Sequence, residues 1–286
     1  MKVLIVSGIW PPDVGGPASH APEIAAELTE RGHAVEVVTT ASAPPPTEPY
    51  RVRYVSRSLP PGARHAAVSA LIAKAARSAD VVYSTSMLGR TTVGTALAHA
   101  PLVMKIAGDP AYERSLRRGW YTGTLADFQH ARLGVPAAAL RRWRTLAASR
   151  PAQLVCPSAF LRGIVLSWGA APDRVTVVPN AAPPLPELPS RDEARRRFAV
   201  DGRTLAFAGR LTAAKELDVA FAAVAQVEGV TLLVAGDGEE RARLAARTPT
   251  NVRLLGSLDR GGVLELFRAA DAALLSSAWE NFPHAL

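Results

Sequence analysis

Two positive side chains follow an apolar run in the second half of the sequence and could bind an anion. Arg210 comes directly after Ala208-Gly209, and Lys215 follows five residues later. Cations placed where a strand ends and a helix begins can converge on one anion in the crevice outside the carboxyl ends of the strands. Taken alone, the pair is also consistent with a solvated helix start.

The common phosphate-binding motifs are missing from the sequence. No G-x-G-x-x-G segment follows the first predicted strand and no G-x-x-x-x-G-K-[ST] segment occurs, which argues against ordinary NAD binding and P-loop chemistry. No Asp-x-Asp segment could hold a divalent ion on a nucleoside diphosphate. A bound diphosphate would therefore be neutralised by fixed cations and backbone N–H groups, and we expect no metal and no other cofactor.

Strand-like runs alternate with helical stretches along the whole chain. This order predicts an α/β protein whose parallel sheets are covered by helices on both faces. The strands predicted for a first sheet are residues 2–7, 35–39, 52–55, 80–83, 102–106, 153–156 and 174–178. The strands predicted for a second sheet are residues 203–208, 230–235, 252–255 and 272–275. The first helix is predicted to open at Ser19 or His20 and to end at Gly32.

A proline-rich segment separates the two groups of strands. Residues 181–190 contain four prolines and cannot form a helix or a central strand. We predict an N-terminal domain over 1–182, a linker region over 183–198 and a second domain over 199–286. The second sheet has only four predicted strands, and the last residues resemble the start of a helix. We therefore expect a C-terminally truncated fragment of a longer enzyme.

The composition is that of a globular protein, with 48% apolar and 20% charged residues, and excludes wholesale disorder. The single cysteine, Cys156, cannot form an internal disulfide or supply a zinc site. A reducing compartment, and hence a cytoplasmic location, is expected. The longest apolar runs have the length of a strand, far below the roughly 20 residues that span a bilayer.

Four more segments follow the cationic pair in a set order: Gly236-Asp237-Gly238, 251–256, 270–277 and 279–283. With them, the sequence resembles the retaining glycosyltransferases of family 4. That family has a G-R-L…K strand end, a G-D-G-P turn, an N-V-x-F-L-G strand, an A-D strand ending in Ser, and E-N-F-P opening a Glu-x7-Glu motif. The chain has all five elements in this order. The second glutamate of the last motif would lie beyond Leu286.

The resemblance implies the GT-B fold, in which two doubly wound parallel-sheet Rossmann-like domains face a cleft, with the second domain incomplete in this chain. Arg210 and Lys215 would bind the donor diphosphate and stabilise the negative charge that grows on it as it leaves. Glu280 would accept hydrogen bonds from hydroxyls of the transferred sugar. The remaining positions implied at the donor are Gly209, Gly238, Asn281 and Phe282.

The resemblance extends to the first domain, where Gly15 and Gly16 match the glycine loop of the family and His20 follows it. Glycines are needed where backbone N–H groups approach a phosphate closely. Many members carry a histidine after the fourth or fifth strand, and the matching segments here have none. Asp109 is our catalytic candidate there and Glu113 a substrate-binding one. The alternatives are a helix N-cap and a first-turn acid.

The positive charge of the protein is concentrated in its first part. The formal net charge is +8, and residues 114–150 alone hold eight arginines against one acid, Asp127. Such a segment could dock on anionic lipid headgroups, as an enzyme with a lipid-linked acceptor requires. The alternative is a solvated arginine face in an arginine-rich protein. Nucleic acid is not an expected partner, because no recognised nucleic-acid-binding pattern accompanies the charge.

We therefore expect a metal-independent enzyme that moves a hexosyl group from a nucleoside diphosphate sugar to an acceptor with retention of anomeric configuration. The acceptor would be a glycan, a glycolipid or a lipid-linked sugar. The enzyme would be cytoplasmic, with peripheral binding to the inner face of the membrane as an additional expectation. The alternatives are a non-catalytic nucleotide-sugar-binding or scaffold fragment and, within enzymes, an epimerase or phosphorylase of the same fold.

Overall fold

Parallel strands form the centre of both halves of the chain. The computed structural model describes residues 1–13, 16–181 and 185–278, and for residues 16–19 the backbone alone. The chain divides into two compact units, Met1–Asn180 and Ala181–Leu286. The boundary lies at the start of the proline-rich segment 181–190.

The first unit contains a seven-stranded sheet. Its strands are β1 (Lys2–Ser7), β2 (Ala34–Ala41), β3 (Arg51–Ser56), β4 (Val81–Ser84), β5 (Leu102–Lys105), β6 (Gln153–Cys156) and β7 (Val175–Val177). They are ordered β3-β2-β1-β4-β5-β6-β7, and every neighbouring pair is parallel. The prediction of seven strands is confirmed. The chain order reverses beside β1, so the crevice between the carboxyl ends of β1 and β4 is the expected place for a ligand.

Helices connect these strands. They are α1 (Gly16–Glu30), α2 (Pro61–Ala76), α3 (Leu88–Ala98), α4 (Pro110–Arg117), α5 (Leu125–Phe128), α6 (Val135–Ala148) and α7 (Ala159–Ser167), with a 3-10 turn at Pro172–Arg174. Apolar strand residues such as Ile5 and Val37 are fully buried, and Ala21 and Ala25 of α1 pack against them. The alternation of apolar strands and half-apolar helices thus produces the layers that the sequence predicts.

Helix α1 differs from its predicted start. It begins at Gly16, three residues before Ser19, and continues through Pro22. The predicted end is close to the observed one, since the helix stops at Glu30 and Gly32 has a φ of +80°. Only glycine adopts this backbone conformation readily. The early start places His20 inside the helix rather than at its cap.

The second unit contains a four-stranded parallel sheet. Its strands are β8 (Arg203–Ala208), β9 (Val230–Ala235), β10 (Val252–Gly256) and β11 (Ala272–Ala273), in the order β10-β9-β8-β11. Its helices are α8 (Arg191–Phe198), α9 (Leu217–Val224), α10 (Arg241–Ala245) and α11 (Arg260–Ala269), with a 3-10 turn at Ala213–Lys215. All four strands were predicted, and the observed β11 is shorter than its prediction.

The predicted linker extends too far along the chain. Residues 191–198, assigned above to the linker region, form α8 and belong to the core of the second unit. Ala194 and Phe198 are buried there with Leu266 of α11. A capping box starts the helix, since Ser190 and Glu193 each accept from the backbone N–H of the other. Two buried side chains on an otherwise charged helix are too few to reveal its packing from periodicity.

Candidate functional site

Two loops meet at the carboxyl edge of the second sheet and hold each other through their backbones. Gly209 N–H donates to Ala235 O at 3.0 Å, and Leu211 N–H donates to Asp237 O at 2.9 Å. Glu240 N–H donates back to Leu211 O at 3.1 Å. The segment after β8 and the segment after β9 therefore form one rigid surface.

Glycine is required where these loops approach each other. A Cβ at Gly236 would lie 1.9 Å from Gly209 O, and a Cβ at Gly238 would lie 2.3 Å from Leu211 O. Real side-chain atoms do not tolerate such distances, so each position excludes every other residue. Glycine is therefore required at position 238 by the close approach of two backbones, and the implied contact of Gly238 with a donor stays a prediction.

The two predicted cations lie on this same edge. The Arg210 side chain is exposed and makes no hydrogen bond or ion pair with the residues that the structure describes. Lys215 is half-buried at the end of the 3-10 turn, and its Cε lies 4.0 Å from the position of a Cβ at Gly209. A third segment supports the turn, because Ser276 Oγ donates to Lys215 O at 2.7 Å. An exposed arginine, a half-buried lysine and a glycine-lined backbone therefore lie together at one edge.

Several predicted site residues lie outside the described part of the chain. These are Gly15 of the first unit, and Glu280, Asn281 and Phe282 near the end of the second. Gly16 is described through its backbone, which begins α1. The roles implied for these residues stay predictions.

Asp109 occupies a different position from that expected of a catalytic group. Its side chain is fully buried and caps α4, accepting from the N–H groups of Ala111 and Tyr112 at 2.9 and 3.2 Å. Its other oxygen accepts from Arg144 at 2.6 Å and from Gln129 at 3.1 Å. The structure corrects the catalytic expectation, because a carboxylate held by four donors and shielded from solvent cannot contact a substrate. The N-cap alternative is the observed role.

Glu113 lies one turn further along α4, on the wall of a cavity. Its side chain is solvent-accessible but surrounded by protein atoms. This partial burial raises the pKa of the carboxyl, helped by the nearby charge of Asp109 and opposed by Arg117. Glu113 is therefore the acid of this region that a ligand in the cavity can reach.

His20 belongs to a cluster that the sequence did not predict. Lys105, the last residue of β5, places its Nζ 2.8 Å from His20 Nε2 and donates to Asn180 Oδ1 at 2.6 Å. Lys105 is buried, which lowers the pKa of its amine to about 8. The signal that could have revealed it is a lone charge within the apolar run of a strand, at its carboxyl end. His20 thus has a polar partner at the predicted edge.

A cavity of about 690 Å³ opens at the carboxyl ends of β4 and β5. Residues of α2, α3, α4 and α6 form its walls, and its charged lining consists of His65, Arg90, Lys105, Glu113, Arg114 and Arg144. A volume of this size accommodates a small ligand. Arg144 is neutralised by Asp109, with which it forms a buried ion pair, and its guanidinium also lies over the Trp168 ring.

The basic segment 114–150 is not one solvated arginine face. Arg144 is buried, and Arg141 donates to the carbonyls of Phe128, Gln129 and Ala131 at 2.8, 3.2 and 3.0 Å. Trp120 and Trp143 remain exposed. Two of the arginines counted for headgroup binding therefore act within the fold, and membrane docking through this segment stays a prediction.

Two other kinds of site are absent from the residues that the structure describes. Over residues 1–13, 16–181 and 185–278, no group of three or more His, Cys, Asp or Glu side chains is arranged to hold a metal ion. Within the same part of the chain, none of the helices combines the length and apolarity needed to cross a membrane.

Two units of this kind, each built on a parallel sheet, are those of the GT-B fold. The family described as Glycosyltransferase Family 4 matches residues 14–184, and the one described as Glycosyl transferases group 1 matches residues 190–286. The chain belongs to glycosyltransferase family 4.

Individual relatives are distant. A glycogen synthase of Mycobacterium tuberculosis is 24% identical, with 99% of this chain and 74% of that protein covered. The structure of HepE of Anabaena in complex with UDP and glucose has a TM-score of 0.71 at 17% identity, covering 99% of this chain and 76% of the other. A sucrose-phosphate synthase of Thermosynechococcus elongatus has a TM-score of 0.76 at 14% identity, covering 99% and 77%. The structural likeness supports the fold.

Proposed function

We propose that this glycosyltransferase moves a hexosyl group from a nucleoside diphosphate sugar to an acceptor, with retention of anomeric configuration and without a metal ion. The observation that carries the proposal is the carboxyl edge of the second sheet. There the glycine loops are fixed backbone to backbone, with Arg210 exposed and Lys215 beside Gly209. Structures of similar fold contain UDP and UDP-glucose, which supports a nucleotide donor.

The chemistry requires positive charge where the diphosphate leaves. The bond between the anomeric carbon and the diphosphate oxygen breaks, and its electron pair stays on that oxygen. An acceptor hydroxyl oxygen bonds to the anomeric carbon, and the proton of this hydroxyl passes to the departing phosphate. Arg210 and Lys215 would hold the growing negative charge, and fixed cations lower the barrier because they need not reorganise during the reaction.

The first unit would bind the acceptor. Its cavity combines an accessible carboxylate, Glu113, with several donors, and Lys105 lies at the same edge with His20. Carboxylates and amines that bind hydroxyl groups are suited to a sugar. A glycan, a glycolipid or a lipid-linked sugar would serve as acceptor, and binding of the last two would bring the enzyme to a membrane surface.

The test is a transfer assay with UDP-, ADP- and GDP-hexoses and a panel of glycan and lipid-linked acceptors. The anomeric configuration of the product is read by NMR. Retention of the donor configuration in the product supports the proposal, and an inverted product refutes its stereochemistry. Addition of a chelator should leave the rate unchanged, whereas loss of activity with a chelator and recovery with a divalent cation would refute the metal-free mechanism.

The roles of the cations are tested by substitution. Arg210→Ala or Lys215→Ala should lower kcat/KM by at least about 100-fold, because each removes a preorganised charge from the leaving group. The matched control is Arg203→Ala. Arg203 is an exposed arginine at the opposite end of the same strand, β8. Equal losses in the Arg210 and Arg203 variants would contradict a specific role for the carboxyl edge.

A further inference from the structure

Several positively charged side chains line the cavity of the first unit and repel one another. Arg90 on α3 and Arg114 on α4 line it together with His65 on α2. Arg64 lies close enough behind them to repel both His65 and Arg90. The guanidinium of Arg64 donates to Arg57 O at 2.8 Å, whereas those of Arg90 and Arg114 make no hydrogen bond to any residue that the structure describes.

Repulsion between these positive charges destabilises the folded state of this region. Burial, with repulsion from Arg64 and Arg114, lowers the pKa of the Arg90 guanidinium. Burial and the charges of Arg90, Arg114 and Arg64 lower the pKa of His65 in the same way. A guanidinium nevertheless stays charged at neutral pH, so the repulsion persists in the folded protein.

No acid in the described part of the chain forms an ion pair with Arg90 or Arg114. Glu113 is the acid on the described cavity wall, and the charges that shift its pKa are those of Asp109 and Arg117. Asp109 is already paired with Arg144. Cations left uncompensated in a concave site are what an anionic ligand requires, since a ligand supplies the missing negative charge.

One wall of the cavity is an indole. Trp143 of α6 packs on Gly89, where a Cβ would lie 2.5 Å from the indole Nε1. Trp143 keeps 46% of its surface exposed although it contacts the start of α3. An exposed aromatic face beside paired arginines suits a ligand with an apolar ring face and a charged group, such as a phosphorylated sugar.

We propose that this cavity binds a phosphate group of the acceptor, with Arg90 and Arg114 contacting the phosphate and Trp143 packing on the adjoining sugar. Guanidinium groups suit this task because they donate to phosphate oxygens in pairs. The inference rests on the proposed function, since it assigns the cavity to the acceptor of that reaction. The phosphate could belong to a soluble phosphosugar or to a phospholipid headgroup, and both sources share the same recognition chemistry.

The experiment measures binding of inorganic phosphate and of glucose 6-phosphate by calorimetry, and sedimentation with vesicles of phosphatidylcholine and phosphatidylglycerol in equal parts. Unphosphorylated glucose and pure phosphatidylcholine vesicles are the matched neutral probes. We expect Arg90→Gln and Arg114→Gln each to weaken phosphate binding about tenfold or more, because each removes a charge-assisted contact. The control Arg51→Gln removes an exposed arginine at the amino end of β3 and should change nothing.

The source of the phosphate follows from which probe responds. If binding of the soluble phosphates depends on Arg90 and Arg114, the ligand is a phosphosugar. If only binding of the anionic vesicles depends on these two arginines, the ligand is a lipid headgroup. The proposal is overturned if no probe shows a dependence on these two arginines, or if glucose binds as tightly as its phosphate. It is also overturned if phosphate binding is lost in Arg210→Gln and kept in both cavity variants.

Two further readouts separate this proposal from other causes. Arg90→Gln should leave the melting temperature unchanged or raise it, because it relieves repulsion, whereas a structural arginine would lower it on removal. Titration of UDP into the same variants reports on the second unit. Normal UDP binding without phosphate binding in the wild type would remove this inference and leave the proposed function intact. If the wild type does not bind UDP but still binds phosphate through Arg90, the proposed nucleotide-sugar donor would be refuted and the phosphate site would remain.

Discussion

The carboxyl edges of the two sheets are held by different kinds of contact. In the first unit, the edge after β5 is fixed by side chains, with the carboxylate of Asp109 held by Arg144, Gln129 and the start of α4. In the second unit, the edge after β8 is fixed by backbone hydrogen bonds between glycine loops, and Arg210 stays exposed. An edge that is rigid through its backbone can leave its charged side chains to a ligand. Where side chains provide the rigidity, their charges are already neutralised.

The largest expected effect tests the side-chain edge. Asp109→Ala should lower the free energy of unfolding by about 3–5 kcal/mol, because it leaves Arg144 charged and buried without its partner. The control Asp173→Ala removes an exposed acid of the Pro172–Arg174 turn. Urea unfolding measures both variants.

A second substitution distinguishes charge from simple loss of packing. Adding Arg144→Leu to Asp109→Ala should restore part of the lost stability, since no unpaired charge remains. Two results would contradict the role of the Asp109–Arg144 ion pair. One is an Asp109→Ala variant as stable as Asp173→Ala, and the other is a double variant no more stable than Asp109→Ala.

The next effect tests the backbone edge. Gly236→Ala should lower the free energy of unfolding of the second unit by about 2–4 kcal/mol, because the Cβ meets Gly209 O and the loops must separate. UDP affinity should fall with it. Gly261→Ala is the matched control, because a Cβ there would make only an ordinary contact, 3.8 Å from Asp259 Oδ1, at the start of α11, and alanine favours a helix. Equal stability of the two variants would show that the loop contact is unimportant.

A smaller effect concerns pH at the first edge. The folded protein lowers the pKa of Lys105 to about 8 from an unfolded value of 10.5, so the unfolded chain binds more protons between these values. Stability should therefore rise with pH across this interval, by about 1–2 kcal/mol once solvent screening is allowed for. The measurement is the difference in unfolding free energy between the wild type and Lys105→Met, taken at pH 8 and at pH 10.5. The wild-type value minus the Lys105→Met value should increase from pH 8 to pH 10.5. A value that stays constant or decreases would contradict the burial of this charge.

The smallest effect sharpens the contrast between the edges. Arg210→Ala should change the free energy of unfolding by less than about 0.5 kcal/mol, because the side chain is exposed and its removal breaks no hydrogen bond or ion pair with the described residues. Arg144→Ala, by comparison, should destabilise the protein severely. Thermal and urea unfolding of the two variants measure these two losses of stability. A large loss of stability in Arg210→Ala would show that this arginine is part of the fold.

The sequence was sufficient for features with a local signal. Apolar runs such as 230–235 predicted the strands, because a buried parallel strand is apolar on both faces. Gly238 and Arg210 could be located from a motif whose residues lie close together in the chain. The start of α1 was predicted three residues too late, and the predicted linker region covered α8, few of whose residues are apolar.

Contacts between distant parts of the chain could not be predicted in this way. Asp109 meets Arg144 35 positions later, and Lys105 meets His20 85 positions earlier. The sequence pattern of an acid after a strand is the same whether that acid contacts a substrate or pairs with a buried arginine. The structure assigns Asp109 to the arginine, and it shows that Arg90 and Arg114 border one cavity.

The most direct test of the central claim is a calorimetric titration of UDP and uridine into the wild type, Arg210→Ala and Arg203→Ala. If the second edge binds a diphosphate through its exposed cation, the wild type and Arg203→Ala will prefer UDP strongly over uridine. Arg210→Ala will lose most of that preference while its affinity for uridine stays the same. Preference for UDP that survives in Arg210→Ala, or that is lost equally in Arg203→Ala, would contradict the claim.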